Sequence, residues 1–379
     1  MKKSFTTTLV TLSALTGGLM FYDWQYRKKH FWKAQSNTEL ILDELSIEVK
    51  PDINWITEFT ISEQMNHEAI PYINQFMHEG KVNHKNYSLH YLLMLKDKSK
   101  PTIVIVHGLN EFKEKYFELA YYLLQNDYNV LIFDQRDHGQ SRQDLSSQLI
   151  DTIEFDDYIE DLKILVEYIR VQYALTASFF ALGHSMGGAV LMGFIQKYPN
   201  VFECAVLTSP MLTINTSPYP QSLTYLLSRL AKRLSLSNRP IPSNASEKVF
   251  PKTEEFSNIQ SDSPLTNSEA RRKYSANINK KVNQMITTDV TLNWLNTSMK
   301  YLNEINQSKN LVAVSLPILL FKSSDDSIVD SMGIDKAAEL LANSRLITVN
   351  DAGHELYQEI NAILRPYVSL IIDFFNQYR

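Results

Sequence analysis

The sequence predicts a doubly wound α/β domain, with a mostly parallel sheet covered by helices and interrupted by a mainly helical insertion. Three observations predict it. Short apolar, β-branched runs alternate with amphipathic stretches between residues 87 and 210, as they do when parallel strands are buried on both faces. The alternation breaks over residues 212–311, which are rich in Ser, Asn and Pro, and resumes near residue 312. Glycine is scarce, 11 in 379 residues, yet three glycines crowd around one serine in Gly183-His184-Ser185-Met186-Gly187-Gly188.

The elements follow in order. "YSLHYLLML" (87–95) reads as a strand, "KDKSKP" as a turn and "TIVIVHG" (102–108) as a buried strand. "EFKEKYFELAYYLLQND" has helical spacing, with Tyr116, Leu119, Leu123 and Leu124 on one face. "YNVLIFD" is the next strand, and "EFDDYIEDLKILVEYIRVQY" a long helix with acids in its first turns, where the helix dipole favours them. "SFFALG" is a strand, "GGAVLMGFIQKYP" a helix and "FECAVLTSP" a strand. Within the insertion, "LTYLLSRLAKRL" and "TLNWLNTSMKYL" read as helices. "LPILLFKSSDD", "GIDKAAELLANS", "RLITVN" and "AILRPYVSLIIDFFNQYR" then give strand, helix, strand and helix. The expected organisation is an N-terminal hydrophobic segment (1–29), an extension without a clear motif (30–79), a core (80–211 and 312–379) and a cap (212–311).

Composition narrows the function. Apolar residues make up 44% and charged residues 21%, which is globular, and the net charge of −5 argues against nucleic acid as a partner. Cys204 is the single cysteine, so an internal disulfide and a cysteine metal site are both excluded, and its apolar run makes it a core residue. At the N-terminus, Lys2 and Lys3 precede an uncharged run over residues 5–22, and Arg27, Lys28 and Lys29 follow it. Its 18 residues sit at the lower edge for a membrane span. Ala14-Leu15-Thr16 is a poor cleavage signal. The expectation is an uncleaved anchor or export signal, hence a membrane-associated protein. The alternative is an N-terminal helix packed on a cytoplasmic domain.

Gly183-His184-Ser185-Met186-Gly187 fits G-x-S-x-G between a strand and a helix, the context in which this pattern carries a nucleophile. The chain must turn sharply so that the hydroxyl of Ser185 stands clear. Side chains two residues away on either side would then collide. A serine nucleophile needs a base. Of nine histidines, only His354, in "VNDAGHELY", lies in a loop after the last strand. His30, His67, His78, His84 and His90 precede the alternation, and His184 sits in the turn itself. His107 ends a strand and His138 lies in "DQRDHGQS". The base needs an acid to fix its tautomer. "PILLFKSSDDSIVD" offers Asp326 first, then Asp325 and Asp330, in the chain order Ser, Asp, His. The backbone N–H groups of Leu109 and Met186 are the expected oxyanion donors. No metal or cofactor is required.

On these residues the chain resembles the α/β-hydrolases of the bacterial lysophospholipase and monoacylglycerol lipase group. The resemblance covers residues 100–210 and 312–379. It is carried by "HGLNEFKEKY" for HG-x-x-E-x-x-x-x-Y, "FDQRDHGQS" for D-x-R-G-H-G-x-S, "FDDYIEDL", "GHSMGG", "DDSIVD" and "AGHE". Two positions depart from the pattern: Asp137 stands where glycine is usual, and Ser323 and Ser324 precede the acid where glycine is common. The resemblance implies a serine ester hydrolase acting on a monoacyl lipid, a lysophospholipid or monoacylglycerol, with the insertion as a cap. That insertion holds thirteen Lys or Arg against seven Asp or Glu. A basic cap and the N-terminal segment suit contact with a membrane surface. The alternatives are a short-chain carboxylesterase or peptidase of the same fold and, further off, a non-catalytic lipid-binding scaffold.

Overall fold

Successive residues of a strand point to opposite faces of the sheet, and the strand Thr102–Val106 divides its side chains between two cores. Val104 and Val106 join one apolar cluster, while Ile103 and Ile105 join the other. A strand buried on both faces cannot alternate polar with apolar residues, so it reads as a continuous apolar run. The computed structural model describes residues 39–45, 47–152, 154–241, 265–281, 287 and 289–379. The hydrophobic segment expected over residues 1–29 and the middle of the insertion lie outside the described residues.

The strands are β1 Glu39–Ile41, β2 Met77–His84, β3 Tyr87–Met94, β4 Thr102–Val106, β5 Asn129–Phe133, β6 Leu149–Ile150, β7 Phe179–His184, β8 Ala205–Thr208, β9 Asp289–Val290, β10 Ile318–Ser323 and β11 Ser344–Val349. Among the described residues they form a nine-stranded sheet in the order β1-β11-β10-β8-β7-β4-β5-β3-β2, and β6 pairs with β9 apart from it. All neighbours in the large sheet are parallel except β2 with β3 and β3 with β5.

The longer helices are α1 Phe117–Gln125, α2 Asp156–Gln172, α3 Met186–Lys197, α4 Gln221–Arg233, α5 Glu269–Lys281, α6 Leu292–Ile305, α7 Met332–Leu340 and α8 Asn361–Asn376. Apolar residues of α1 and α8 pack on one face of the sheet and those of α2, α3, α6 and α7 on the other. The molecule is therefore an α/β-hydrolase fold with a mostly parallel, doubly wound sheet.

Two parts of the sheet come from sequence with no strand pattern of its own. β2 is "MHEGKVNH", an edge strand on which only Val82 is buried. β1 has three residues and borrows its register from β11, where Leu40 lies opposite Ile347. The extension before residue 80 is thus built into the core: Ile53, Ile56, Ile61, Met65, Ala69 and Ile73 join the cluster that holds α1 and α8. Between β8 and β10 the insertion supplies α4, α5 and α6, with α6 packed against both α4 and α3.

Candidate active site

Ser185 follows the last residue of β7 and immediately precedes α3. Its φ is 52° and its ψ is −119°. A non-glycine residue in that region is strained, and such strain persists only where the surroundings impose it. The Ser185 N–H donates to the Thr208 carbonyl at 3.1 Å, while its own carbonyl accepts from Gly188 at 2.9 Å and Met211 at 2.8 Å. The flanking glycines are needed for space. A Cβ on Gly187 would sit 2.0 Å from the Val106 carbonyl oxygen, and one on Gly183 would sit 2.8 Å from the Gly187 carbonyl oxygen.

His354 lies in the loop between β11 and α8. Its Nδ1 is 2.6 Å from Asp326 Oδ2, and its ring centroid is 4.8 Å from that of His184, the residue before Ser185. The second carboxylate oxygen of Asp326 accepts the N–H groups of Ile328 at 2.8 Å and Val329 at 3.0 Å. Of the three acids after β10, only Asp326 meets the imidazole. Asp325 is exposed and pairs with its neighbour Ser324, and Asp330 accepts the N–H of Met332.

Ser323 and Ser324 tie the acid loop to the base loop. Ser323 Oγ donates to the Gly353 carbonyl at 2.7 Å, and the Asp351 N–H donates to Ser324 Oγ at 3.0 Å. Glu359 accepts the Gly353 N–H at 2.8 Å. Residues of the insertion close in from above: the Glu355 N–H donates to the Leu265 carbonyl at 2.7 Å.

The charges of the pair favour each other. Burial alone would push the His354 imidazolium down, but the charge and hydrogen bond of Asp326, helped by Glu355 and Glu111, hold its pKa above the usual 6.5. Burial would likewise raise Asp326, but His354 and the two loop N–H groups hold it below the usual carboxylate range. A base must be neutral to accept a proton, so kcat/KM is expected to rise with pH through a midpoint above 6.5. A profile flat across that range, or a midpoint below it, would contradict the assignment of His354 as base.

Leu109 and Met186 lie at the ends of the two central strands, just after β4 and β7. Met186 is the first residue of α3, where helix N–H groups have no partner within the helix. Neither N–H has an acceptor among the described residues. The other histidines on this side are structural. His107 Nδ1 bonds the Gly108 carbonyl at 2.7 Å and its Nε2 accepts from the Gln135 N–H at 3.0 Å. His138 Nδ1 bonds the Arg136 carbonyl at 2.8 Å.

A buried ionic cluster joins the loop after β4 to the base loop, and its full extent could not be read from spacing. Glu111 Oε2 accepts the Gly108 N–H and the Tyr116 hydroxyl, each at 2.6 Å. Its Oε1 accepts the Tyr357 hydroxyl at 2.5 Å and Lys115 Nζ at 3.0 Å. Lys115 Nζ also donates to Glu355 Oε1 at 2.8 Å. Glu111 and Lys115 are four residues apart, but Glu355 is 240 residues from Lys115. Removing one partner of a buried ion pair leaves an uncompensated charge. Lys115→Met is therefore expected to cost about 3–5 kcal/mol of unfolding free energy, measured by urea denaturation. A loss below about 1 kcal/mol, the level of an exposed pair, would contradict this reading.

The remaining motif residues hold loops. Arg136 makes paired bonds to Asp161 at 2.6 and 2.8 Å and one to Asp157 at 2.7 Å. Asp137, where glycine is usual, adopts φ 61°. Its carboxylate accepts the Tyr87 hydroxyl at 2.8 Å and the Thr152 hydroxyl at 2.9 Å. These two bonds hold the left-handed backbone that glycine would take without strain.

The family described as serine aminopeptidase, S33, matches residues 97–361. "Probable lysophospholipase L2" of Haemophilus influenzae is 24% identical over 311 residues, covering 82% of this chain and 95% of that protein. Lysophospholipase L2 of Escherichia coli K12 is 26% identical over 287 residues, covering 73% and 80%. A crystal structure of a soluble variant of monoglyceride lipase from Saccharomyces cerevisiae, in complex with a substrate analog, superposes with a TM-score of 0.62 at 17% identity, over 80% of this chain and 97% of that one. At that identity it speaks for the fold alone.

Proposed function

The chain belongs to the serine aminopeptidase, S33, family of hydrolases, and on that premise we propose that it hydrolyses the ester bond of a monoacyl lipid, a lysophospholipid or monoacylglycerol, through an acyl-enzyme on Ser185. The observation that carries the reading is the His354–Asp326 pair, 2.6 Å apart, with its imidazole packed on His184, the residue before the strained serine at the head of α3.

In the proposed sequence, Asp326 holds the proton of His354 on Nδ1, which leaves Nε2 to accept the proton of the Ser185 hydroxyl. The serine oxygen attacks the ester carbonyl. The resulting oxyanion is met by the N–H groups of Leu109 and Met186. His354 then gives its proton to the departing alcohol, and a water deprotonated by the same nitrogen releases the fatty acid.

The lipid substrate is supported by the two lysophospholipases, which align along most of their length, and by the excess of basic residues in the insertion. In this reading residues 212–311 form a cap that meets the lipid surface. Residues 1–29 serve as an anchor or export signal. Among the described residues no helix is long and apolar enough to cross a membrane.

The name of the matching family favours a second reading, an aminopeptidase. Such an enzyme must hold a substrate ammonium with a carboxylate. The buried acids around His354 are already engaged: Asp326 by the imidazole, Glu111 and Glu355 by Lys115, and Glu359 by the Gly353 N–H. The test compares a panel of monoacyl lipids with p-nitrophenyl esters of increasing chain length and with aminoacyl anilides. Monoacyl lipids and long-chain esters are expected to be the better substrates. Anilide hydrolysis exceeding ester hydrolysis would overturn the lipid reading.

A further inference from the structure

Residues 265–271 belong to the insertion, yet most of their polar groups bond the loop that carries His354. Arg271 of α5 is 1% exposed. Its Nη1 donates to the Glu359 carbonyl and its Nη2 to Asn361 Oδ1, each at 2.8 Å. The guanidinium also pairs with the Glu118 carboxylate of α1, from Nε at 3.0 Å and Nη2 at 2.7 Å. Asn267 donates its N–H to Glu359 Oε1 at 3.1 Å and its Nδ2 to the Asp351 carbonyl at 2.7 Å. Thr266 Oγ1 donates to the Gln358 carbonyl at 2.6 Å.

These bonds converge on the two neighbours of His354. Glu359, held by Arg271 and Asn267, accepts the Gly353 N–H with the same Oε1. On the other side, the Leu265 carbonyl takes the Glu355 N–H. The two segments touch along their backbones. A Cβ on Gly353 would sit 2.6 Å from the Leu265 carbonyl oxygen and 2.8 Å from the Thr266 nitrogen, so glycine is what permits the approach. The acid loop grips the same segment through Ser323 and Ser324. His354 is thus fixed between two sets of directional bonds. A contact made only for stability would be served as well by apolar packing, because burying a guanidinium costs desolvation. What its rigid fork supplies is position.

We propose that residues 265–271 are a clamp that positions the general base, with Arg271 as its anchor, so that the imidazole of His354 is aligned with Ser185 only while this part of the insertion is seated on the core. The proposal rests on the reading of His354 as base and deepens it. The insertion then contributes to the rate as well as to the shape of the site, and Arg271 and Asn267 are positioning residues that act through Glu359 and Gly353.

The test is steady-state kinetics of the full chain on a soluble p-nitrophenyl ester, beside thermal midpoints. Removing Arg271 alone would strand the Glu118 carboxylate, so the variant is Arg271→Met/Glu118→Leu, which removes both charges. It is expected to fold, to keep the parent's KM and to lose about 10²-fold in kcat, the effect of misplacing a catalytic group by about an ångström. Asn267→Ala, at an exposed position, is expected to keep the midpoint and lose roughly tenfold in kcat. Arg271→Lys retains a charge for Glu118 but cannot reach all the acceptors at once, and should keep the fold without restoring kcat. Lys273→Gln, on the same helix and paired only with Glu269 among the described residues, is expected to match the parent.

A pH profile reads the alignment independently. The charged and titratable groups facing His354 are Asp326, Glu355 and Glu111, with Lys115 behind the two glutamates and His184 held neutral by burial. None of them is substituted. A looser imidazole should therefore move the acid limb of kcat/KM down toward 6.5 in the double variant. Parent-like kcat in that variant would overturn the proposal whether or not its midpoint falls, since a lowered midpoint alone is the mark of a segment that only packs. If the double variant does not fold, parent-like kcat in both Asn267→Ala and Arg271→Lys would overturn it. His354→Ala separates the two readings. Loss of turnover there beside parent-like clamp variants would remove the clamp alone, whereas parent-like turnover in His354→Ala would remove the base and the clamp together.

Discussion

Ser185→Ala is expected to lower turnover of a monoacyl lipid by about 10⁴ to 10⁶ while leaving the fold intact. The magnitude follows from what remains. In the proposed mechanism the N–H groups of Leu109 and Met186 would remain to meet an oxyanion, so a residual rate above water persists. What is lost is the covalent route. The stability cost is small, because alanine keeps the Cβ and the φ of 52° that the turn already imposes. Steady-state assay of the purified variant beside its thermal midpoint checks both halves. Near-parent turnover would refute the nucleophile, and a collapsed midpoint would show that the serine is held for structure.

Asp326→Asn carries the next largest expected effect, a loss of roughly 10⁴ in kcat. Asp326 accepts from His354 Nδ1 at 2.6 Å and from two backbone N–H groups with its other oxygen. An asparagine amide placed to keep the loop bonds would turn its NH₂ toward Nδ1. The imidazole would then carry its proton on Nε2, the nitrogen that has to accept one from Ser185. The substitution also removes the charge that holds His354 above 6.5, so the acid limb of whatever activity remains should move to lower pH. A variant that loses activity with an unmoved pH limb would show that Asp326 positions a loop and does not tune the base. The same measurement on Asp325→Asn should leave the parent profile unchanged, since that side chain is exposed.

The central strands and the sharp turn at Ser185 are legible because each is local. β4, β5 and β7 are apolar runs bounded by turns, and Gly183 and Gly187 flag a backbone that admits no Cβ. What the pattern could not reveal depends on partners remote in the chain. β2 reads as a polar mixture because it lies at the sheet edge, where one burial position is enough. Helix α5 looks fully solvated in "EARRKYSANINKK", yet Arg271 is buried because Glu118, 153 residues away, takes its guanidinium. Asp326 and Asp325 differ by one step along a loop, and only the fold decides which of them faces His354. The leucines of α4 have helical spacing, yet Leu226, Leu227 and Leu230 are exposed, because spacing alone does not say which side of a helix meets the protein.

The most direct test of the account is reaction of the full-length protein with a fluorophosphonate, followed by intact mass and peptide mapping. The account predicts one adduct, on Ser185, absent in Ser185→Ala and formed far more slowly in His354→Ala. An adduct on any other residue, or none in the parent protein, would contradict it.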